Sequence, residues 1–83
     1  MYERNLERFF TDNGLEKVLV RCYGIGGHFY NVEVRTVSPI TLSLVKELFD
    51  KKFFNIRIID CIKTKIILNM EIYEENLAHS EFL

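Results

Sequence analysis

The sequence predicts a two-layer α+β fold in which a four-stranded, mostly antiparallel sheet carries two helices on one face. Three observations lead to it: a helical stripe at the N-terminus, a glycine-rich turn between two alternating segments, and a second helix before a long β-branched stretch. The predicted order is helix-strand-strand-helix-strand-strand, with room for a short C-terminal helix. A chain of 83 residues has the size of one domain, so residues 1–83 are expected to fold together.

Apolar residues at helical spacing predict the first helix, from about residue 2 to residue 12. Tyr2, Leu6 and Phe10 fall on one side of such a helix, and charged residues cover the remainder. Gly14 follows the stripe. Glycine is the residue that most readily takes the left-handed conformation in which helices end, so the helix should stop there.

Two alternating segments on either side of a glycine-rich turn predict an antiparallel hairpin. The first strand is expected from about residue 15 to residue 23 and the second from about residue 28 to residue 37. Gly24-Ile25-Gly26-Gly27 separates them, and its glycines suit a turn that needs positive φ angles. The side chains expected to face the helices are Val18, Val20, Cys22, Tyr30, Val32 and Val34.

A Ser-Pro pair predicts the start of the second helix. Ser38 is expected to cap the helix and Pro39 to occupy its first turn, where a missing N–H has no cost. The helix should continue to about Lys52. The residues expected to be buried on it are Val45, Leu48 and Phe49.

The last third of the chain is the richest in β-branched residues and is too long for one strand. Strands are therefore predicted from about Phe54 to Asp60 and from Lys65 to Tyr73, with a break near residues 60–64. Lys63 and Lys65 would discourage pairing at a sheet edge. The tail is expected to form one or two helical turns and to end on exposed Phe82-Leu83.

An offset of 39 residues gives a faint internal repeat. It aligns residues 6–22 with residues 45–61, matching Phe10 to Phe49 and Cys22 to Cys61. Two identities in this stretch are also what shared helix-then-strand patterning would produce. The repeat is therefore a hypothesis about the two halves, each a helix followed by a hairpin.

Composition narrows the classes of function. Eleven basic and 12 acidic residues give a net charge of −1, which disfavours binding through nucleic-acid phosphates. No apolar run is long enough for a membrane span, and the acidic start is unlike a secretion signal. Two widely separated cysteines suggest reduced thiols in a cytoplasmic protein. The apolar fraction of 48% is high for such a small chain, so a homodimer is expected. Abundant Ile, Asn, Lys and Phe are typical of phage or mobile-element products.

No residue pattern indicates a metal, a cofactor or a catalytic centre. Cys22, His28, Cys61 and His79 lack the close pairing of structural zinc ligands. Cys22 lies in the middle of a predicted strand, facing the core, which is poor placement for a nucleophile. A small enzyme using Cys22 and His28 is therefore the less favoured alternative, and no enzyme activity is expected.

The most informative pattern is the predicted outer face of the sheet, which mixes aromatic, aliphatic and arginine side chains. Tyrosine and arginine are typical of binding hot spots, and aromatics interleaved with arginine also suit stacking of single-stranded bases. The predicted function is that of a regulator, adaptor or inhibitor that binds another protein, with single-stranded nucleic-acid binding and plain surface as alternatives. The outer face is predicted to carry Leu19, Arg21, Tyr23, Phe29, Asn31, Arg35, Arg57, Ile59 and Tyr73. The binding residues are predicted to be Arg21, Tyr23, Ile25, Phe29, Arg35, Arg57 and Tyr73.

Overall fold

A computed structural model describes residues 2–61, 65–78 and 82 of the chain. Within them, four strands form one antiparallel sheet in the order β1-β2-β4-β3. This confirms the predicted fold class, with a short helix after the last strand. The elements are α1 (Tyr2–Asp12), β1 (Leu19–Gly24), β2 (Phe29–Thr36), α2 (Leu42–Asp50), β3 (Phe54–Cys61), β4 (Lys65–Tyr73) and α3 (Glu74–Leu77).

One face of the sheet, here the helix face, packs against α1 and α2. From the central strands it contributes Val32, Val34, Leu68, Met70 and Ile72, all fully buried. The helices bury Leu6, Phe9, Phe10, Leu44 and Leu48 in the same cluster. Burial of each large apolar side chain stabilises the fold by about 1.5–3 kcal/mol before chain entropy is counted. The opposite face, here the open face, has no helix on it among the described residues.

The prediction for the start of α2 was wrong. Thr41, not Ser38, caps the helix, and its hydroxyl accepts the Leu44 N–H at 3.1 Å. The Ser38 hydroxyl instead accepts the Glu16 N–H at 2.8 Å, so Ser38 ties the segment after β2 to the segment before β1. A serine before a proline can cap a helix or anchor a loop, and the local sequence does not distinguish the two.

The buried side of α2 also differs from the prediction. Leu44 and Leu48 face the core, whereas Phe49 is 57% exposed and Val45 only partly buried. Two apolar stripes run along this helix, and a helical pattern alone does not say which one is buried. The consequence is an apolar stripe of Leu42, Val45 and Phe49 on the surface.

The first strand begins later than predicted. Lys17 has a φ of 53°, and this left-handed residue interrupts an extended chain, so β1 starts at Leu19. The bounds of α1 and β4 are confirmed. The predicted break after β3 and the edge role of Lys63 lie outside the described residues.

The end of the chain contradicts the expected exposure of Phe82. Phe82 is 1% exposed, and its ring meets the rings of Phe9 and Phe53 at centroid distances of 5.4 Å and 5.9 Å. The Asn5 side-chain amide donates to the Phe82 carbonyl at 3.1 Å. Phe82 therefore completes the core between the helices, while Leu83 lies outside the described residues.

The two halves of the chain repeat the same helix ending at an offset of 38, not 39. The Leu15 N–H donates to the Phe10 carbonyl at 3.1 Å, and the Phe53 N–H donates to the Leu48 carbonyl at 3.0 Å. Leu15 and Phe53 are both buried. The left-handed residues of the two halves also correspond: Gly14 and Lys52 have φ angles of 94° and 76°, and Lys17 and Asn55 have 53° and 51°.

The central strands follow the same offset. Val32 and Met70 are equivalent positions 38 residues apart, and they are also directly paired in the sheet. A two-fold axis therefore passes through this pair and relates β2 to β4. The offset of 39 was wrong because it matches Val20 on the helix face with Ile59 on the open face, and a one-residue slip exchanges the faces of a strand.

The repeated helix ending predicts a stabilising substitution. Lys52 occupies the left-handed position that Gly14 fills in the first half. A non-glycine residue there costs about 1–2 kcal/mol in conformational energy, so Lys52→Gly should raise the free energy of unfolding by about 1 kcal/mol. Urea denaturation monitored by circular dichroism measures the change. Gly14→Ala is the matched control and should lower the free energy of unfolding. A loss of stability in Lys52→Gly would contradict the idea that the left-handed conformation of Lys52 is costly.

Candidate binding surface on the open sheet face

The open face is built by the alternation of side chains along four paired strands. Leu19 is paired with Arg35, Tyr23 with Asn31, and Phe29 with Tyr73, so their side chains share a face. All nine residues predicted for the outer face lie on it. Positions that also belong to it by register are Glu33, Ile67, Asn69 and Glu71.

Side chains on the open face form bands across the strands. One band is mainly aliphatic and is made by Leu19, Arg35, Ile67 and Ile59. Leu19 and Ile59, at the two ends of this band, are 50% and 45% exposed. The next band is polar and charged and is made by Arg21, Glu33, Asn69 and Arg57. An arginine therefore stands at each end of the second band, with a carboxylate and an amide between them.

An aromatic patch of Phe29, Phe54 and Tyr73 occupies the far end of the open face. The Phe29 and Tyr73 ring centroids are 4.5 Å apart, those of Phe54 and Tyr73 are 5.3 Å apart, and those of Phe29 and Phe54 are 5.8 Å apart. Tyr73 is 43% exposed. Rings at these separations stabilise one another and present a preformed apolar surface.

Phe54 is the member of the aromatic patch that sequence reasoning missed. It stands next to Phe53, which is 2% exposed, and neighbouring strand residues point to opposite faces. That alternation was the available signal. The irregular pairing between Phe54 and Arg57, where Asn55 has a φ of 51°, interrupts the alternation, so counting back from Arg57 assigns Phe54 to the wrong face.

Tyr23 and Ile25 extend the aromatic patch toward the hairpin. The Asn31 side-chain amide, on a residue only 8% exposed, donates to the Tyr23 hydroxyl at 3.1 Å. This bond orients the Tyr23 ring, which is 51% exposed. Ile25 is 48% exposed, and its N–H donates to the Phe29 carbonyl at 3.2 Å, which closes the turn.

Charges at the centre of the open face are partly paired. The Arg35 guanidinium donates to the Glu33 carboxylate at 3.1 Å, and the Asn55 amide donates to the Glu71 carboxylate at 3.0 Å. Arg21 and Arg57 are exposed and have no ion pair within the described part of the chain. These two arginines are therefore available to a partner.

A pocket of about 590 Å³ adjoins the aromatic patch. It is lined by His28, Tyr73, Glu74, Glu75 and Ala78. The Glu74 N–H donates to the His28 carbonyl at 2.6 Å, which holds the start of α3 against the hairpin. The negative charge of Glu74 also raises the pKa of Tyr30. The pocket thus combines the Tyr73 ring with the carboxylates of Glu74 and Glu75.

Cys22 and His28 lie in different environments. Cys22 is half-buried on the helix face of β1, whereas His28 is exposed at the hairpin. Burial, with a further contribution from the Glu3 carboxylate, raises the pKa of the Cys22 thiol to about 11. Among the described residues, no three His, Cys, Asp or Glu side chains are grouped so as to hold a metal ion.

In the part of the chain that the structure describes, no helix has the length and hydrophobicity needed to cross a membrane. Comparison of the chain with protein-family models, with curated proteins and with solved structures gave no significant match.

Proposed function

We propose that this protein is a non-enzymatic interaction module that binds another protein through the open face. The observation that supports it best is the aromatic patch of Phe29, Phe54 and Tyr73, which no helix of the described residues covers. Aromatic rings that are at least partly exposed, on the same face as arginines without an ion pair among the described residues, have the composition of binding hot spots. A rigid sheet also holds these side chains in place before binding, which lowers the entropy cost of association.

The charge pattern favours a protein partner over single-stranded nucleic acid. Glu33 and Glu71 lie at the centre of the open face, between Arg21 and Arg57. A phosphate backbone crossing the face would pass these carboxylates, and like charges repel. A protein partner can match alternating positive and negative groups, so the pattern suits a protein surface of mixed charge.

The role we propose is that of a regulator, adaptor or inhibitor, acting in the cytoplasm. The free thiol of Cys22 is compatible with a reducing compartment. A small chain that works by occupying a partner's surface needs one binding face and a stable scaffold behind it. From the amino-acid composition we also propose that a phage or a mobile element encodes this protein.

Affinity capture with matched variants tests this function. The chain is used as bait in a lysate of its source organism, with and without nuclease, and captured proteins are identified by mass spectrometry. Phe29→Ala/Tyr73→Ala and Arg21→Ala/Arg57→Ala alter the open face. Truncation of a hot-spot residue costs about 2 kcal/mol or more, so the affinity for the captured protein should fall at least roughly 30-fold.

Arg4→Ala/Arg8→Ala is the control, because it removes two exposed arginines from α1 in the opposite layer. It should leave capture unchanged. A partner bound equally well by the open-face variants would refute the proposal. Capture that disappears with nuclease would replace it with nucleic-acid binding, for which affinity should also decline steeply with added salt.

A further inference from the structure

The two borders of the sheet differ in how they are protected. At the β1 border, α1 packs along the strand, and the Glu3 carboxylate accepts the Cys22 N–H at 3.0 Å. A backbone group that would otherwise face solvent is therefore satisfied within the chain. A carboxylate held against a sheet edge, as that of Glu3 is here, also discourages pairing with another chain at that point. At this border the outward Cys22 N–H is therefore satisfied and α1 lies beside the strand.

At the β3 border, the described residues provide no such protection. Hydrogen-bonding direction alternates along and across an antiparallel sheet. Since the Cys22 N–H points away from β2, the registers require Arg57 and Ile59 to bond to β4 and the Ile58 N–H and C=O to point outward. The Ile58 side chain is 51% exposed. β3 therefore offers the outward backbone groups and the exposed side chain of Ile58 for strand pairing.

The outer flank of α2 continues this apolar border. Glu47 lines the groove between the helices, together with residues of α1. At about 100° per residue, Leu42, Val45 and Phe49 lie on the flank opposite Glu47, away from α1. Since α1 packs along β1, this flank of α2 lies on the side of the helix layer away from β1. Leu42 is 70% exposed and Phe49 57%.

We propose that a second copy of this chain occupies the β3 border. Its β3 strand would pair antiparallel with β3 of the first copy, and the two α2 flanks would pack across the dimer axis. The eight strands would then form one continuous sheet, with both open faces on the same side and still accessible. A two-fold dimer of this kind is the commonest form of closed assembly.

The sequence of β3 is compatible with its own antiparallel copy. Pairing Ile58 with Ile58 of the second copy places Arg57 opposite Ile59 of that copy. A shift of two residues in one direction would set Arg57 against Arg57 of the second copy, and like charges directly opposite destabilise a sheet. A shift of two residues in the other direction avoids this repulsion but leaves fewer residues of β3 paired. The register centred on Ile58 avoids the repulsion, keeps the longer overlap and satisfies the outward N–H and C=O of Ile58 in both copies.

Sedimentation of the full chain tests the dimer. The wild type should sediment as a dimer at high micromolar concentration. Ile58→Pro removes the outward N–H without removing a bond to β4, and Leu42→Lys adds a charge to the α2 flank. Both variants should be monomeric with unchanged circular dichroism. Val37→Lys changes an exposed apolar residue outside the β3 border and should remain dimeric.

A monomeric wild type would overturn the dimer, and a dimer that survives Leu42→Lys and a folded Ile58→Pro would overturn its location. Cross-linking tests the register independently. With Cys22 and Cys61 changed to serine, Ile58→Cys should form a disulfide between copies, because directly paired Cα atoms are about 5.5 Å apart. Arg57→Cys is the control that should not cross-link, and the reverse result would overturn the register. Neither test depends on capture of a partner by the open face.

Discussion

Replacement of Phe10 by alanine should remove most of the stability of this protein. Phe10 is fully buried between α1 and the sheet, and the centroid of its ring lies 5.1 Å from that of the Phe9 ring. Truncation of a buried phenylalanine costs about 3–5 kcal/mol, because transfer energy is lost and a cavity remains. A chain of 83 residues is expected to have only about 4–12 kcal/mol in total. In urea denaturation at 25 °C, the variant should therefore unfold at a much lower midpoint concentration of urea than the wild type.

Phe49→Ala is the matched control, since it removes the same ring from the exposed stripe of α2. It should change the free energy of unfolding of the monomer by less than about 0.5 kcal/mol. Both variants are measured at concentrations at which sedimentation shows a monomer, so that dimer formation does not enter. Equal losses in the two variants would mean that the buried side of α2 has been assigned wrongly.

The Cys22 thiol should react about 100-fold more slowly with iodoacetamide than an ordinary thiol near neutral pH. Its pKa is raised from 9.0 to about 11, chiefly by burial and secondly by the Glu3 carboxylate. The thiolate is the reactive form, and its fraction falls tenfold for each unit of pKa. The measurement uses a Cys61→Ser variant, in which Cys22 is the remaining cysteine. A fast rate in the folded protein would reopen a catalytic role for this residue.

The same shift predicts the pH dependence of stability. The folded state holds the Cys22 proton more tightly than the unfolded state does. The contribution of the protonated Cys22 thiol to the free energy of unfolding is therefore fully present below pH 9. It is lost as the pH rises through the folded pKa of about 11. Glu3→Gln removes the repulsion from the carboxylate and should lower the pKa of Cys22. Stability that stays constant across this range in both proteins would contradict the shift.

Much of the fold follows from local patterns that the tertiary structure does not override. Alternation places Arg21, Tyr23 and Arg57 on one face, because the side-chain period of a strand is two. The glycine turn sets the first hairpin for a similar reason: Gly26 and Gly27 take φ angles of 102° and 58°. These features depend on neighbours in sequence, and the sequence is sufficient to predict them.

Other features depend on contacts between distant segments. The Ser38 hydroxyl bonds to the backbone of Glu16, 22 residues away, and no local rule predicts that choice over a helix cap. The burial of Phe82 against Phe9 and Phe53 is equally remote in sequence. The aromatic patch was missed at Phe54 because left-handed Asn55 disturbs the alternation on which the prediction depended.

The two-fold axis that relates β2 to β4 means that the two halves of the chain could be connected in either order. The main chain reaches Asn5 and Phe82 at nearly the same place, where the amide of one donates to the carbonyl of the other. A circularly permuted chain, opened between β2 and α2 and joined across its ends, would still run helix-strand-strand-helix-strand-strand. The central pairing of β2 with β4, rather than the covalent link between the halves, therefore defines this architecture.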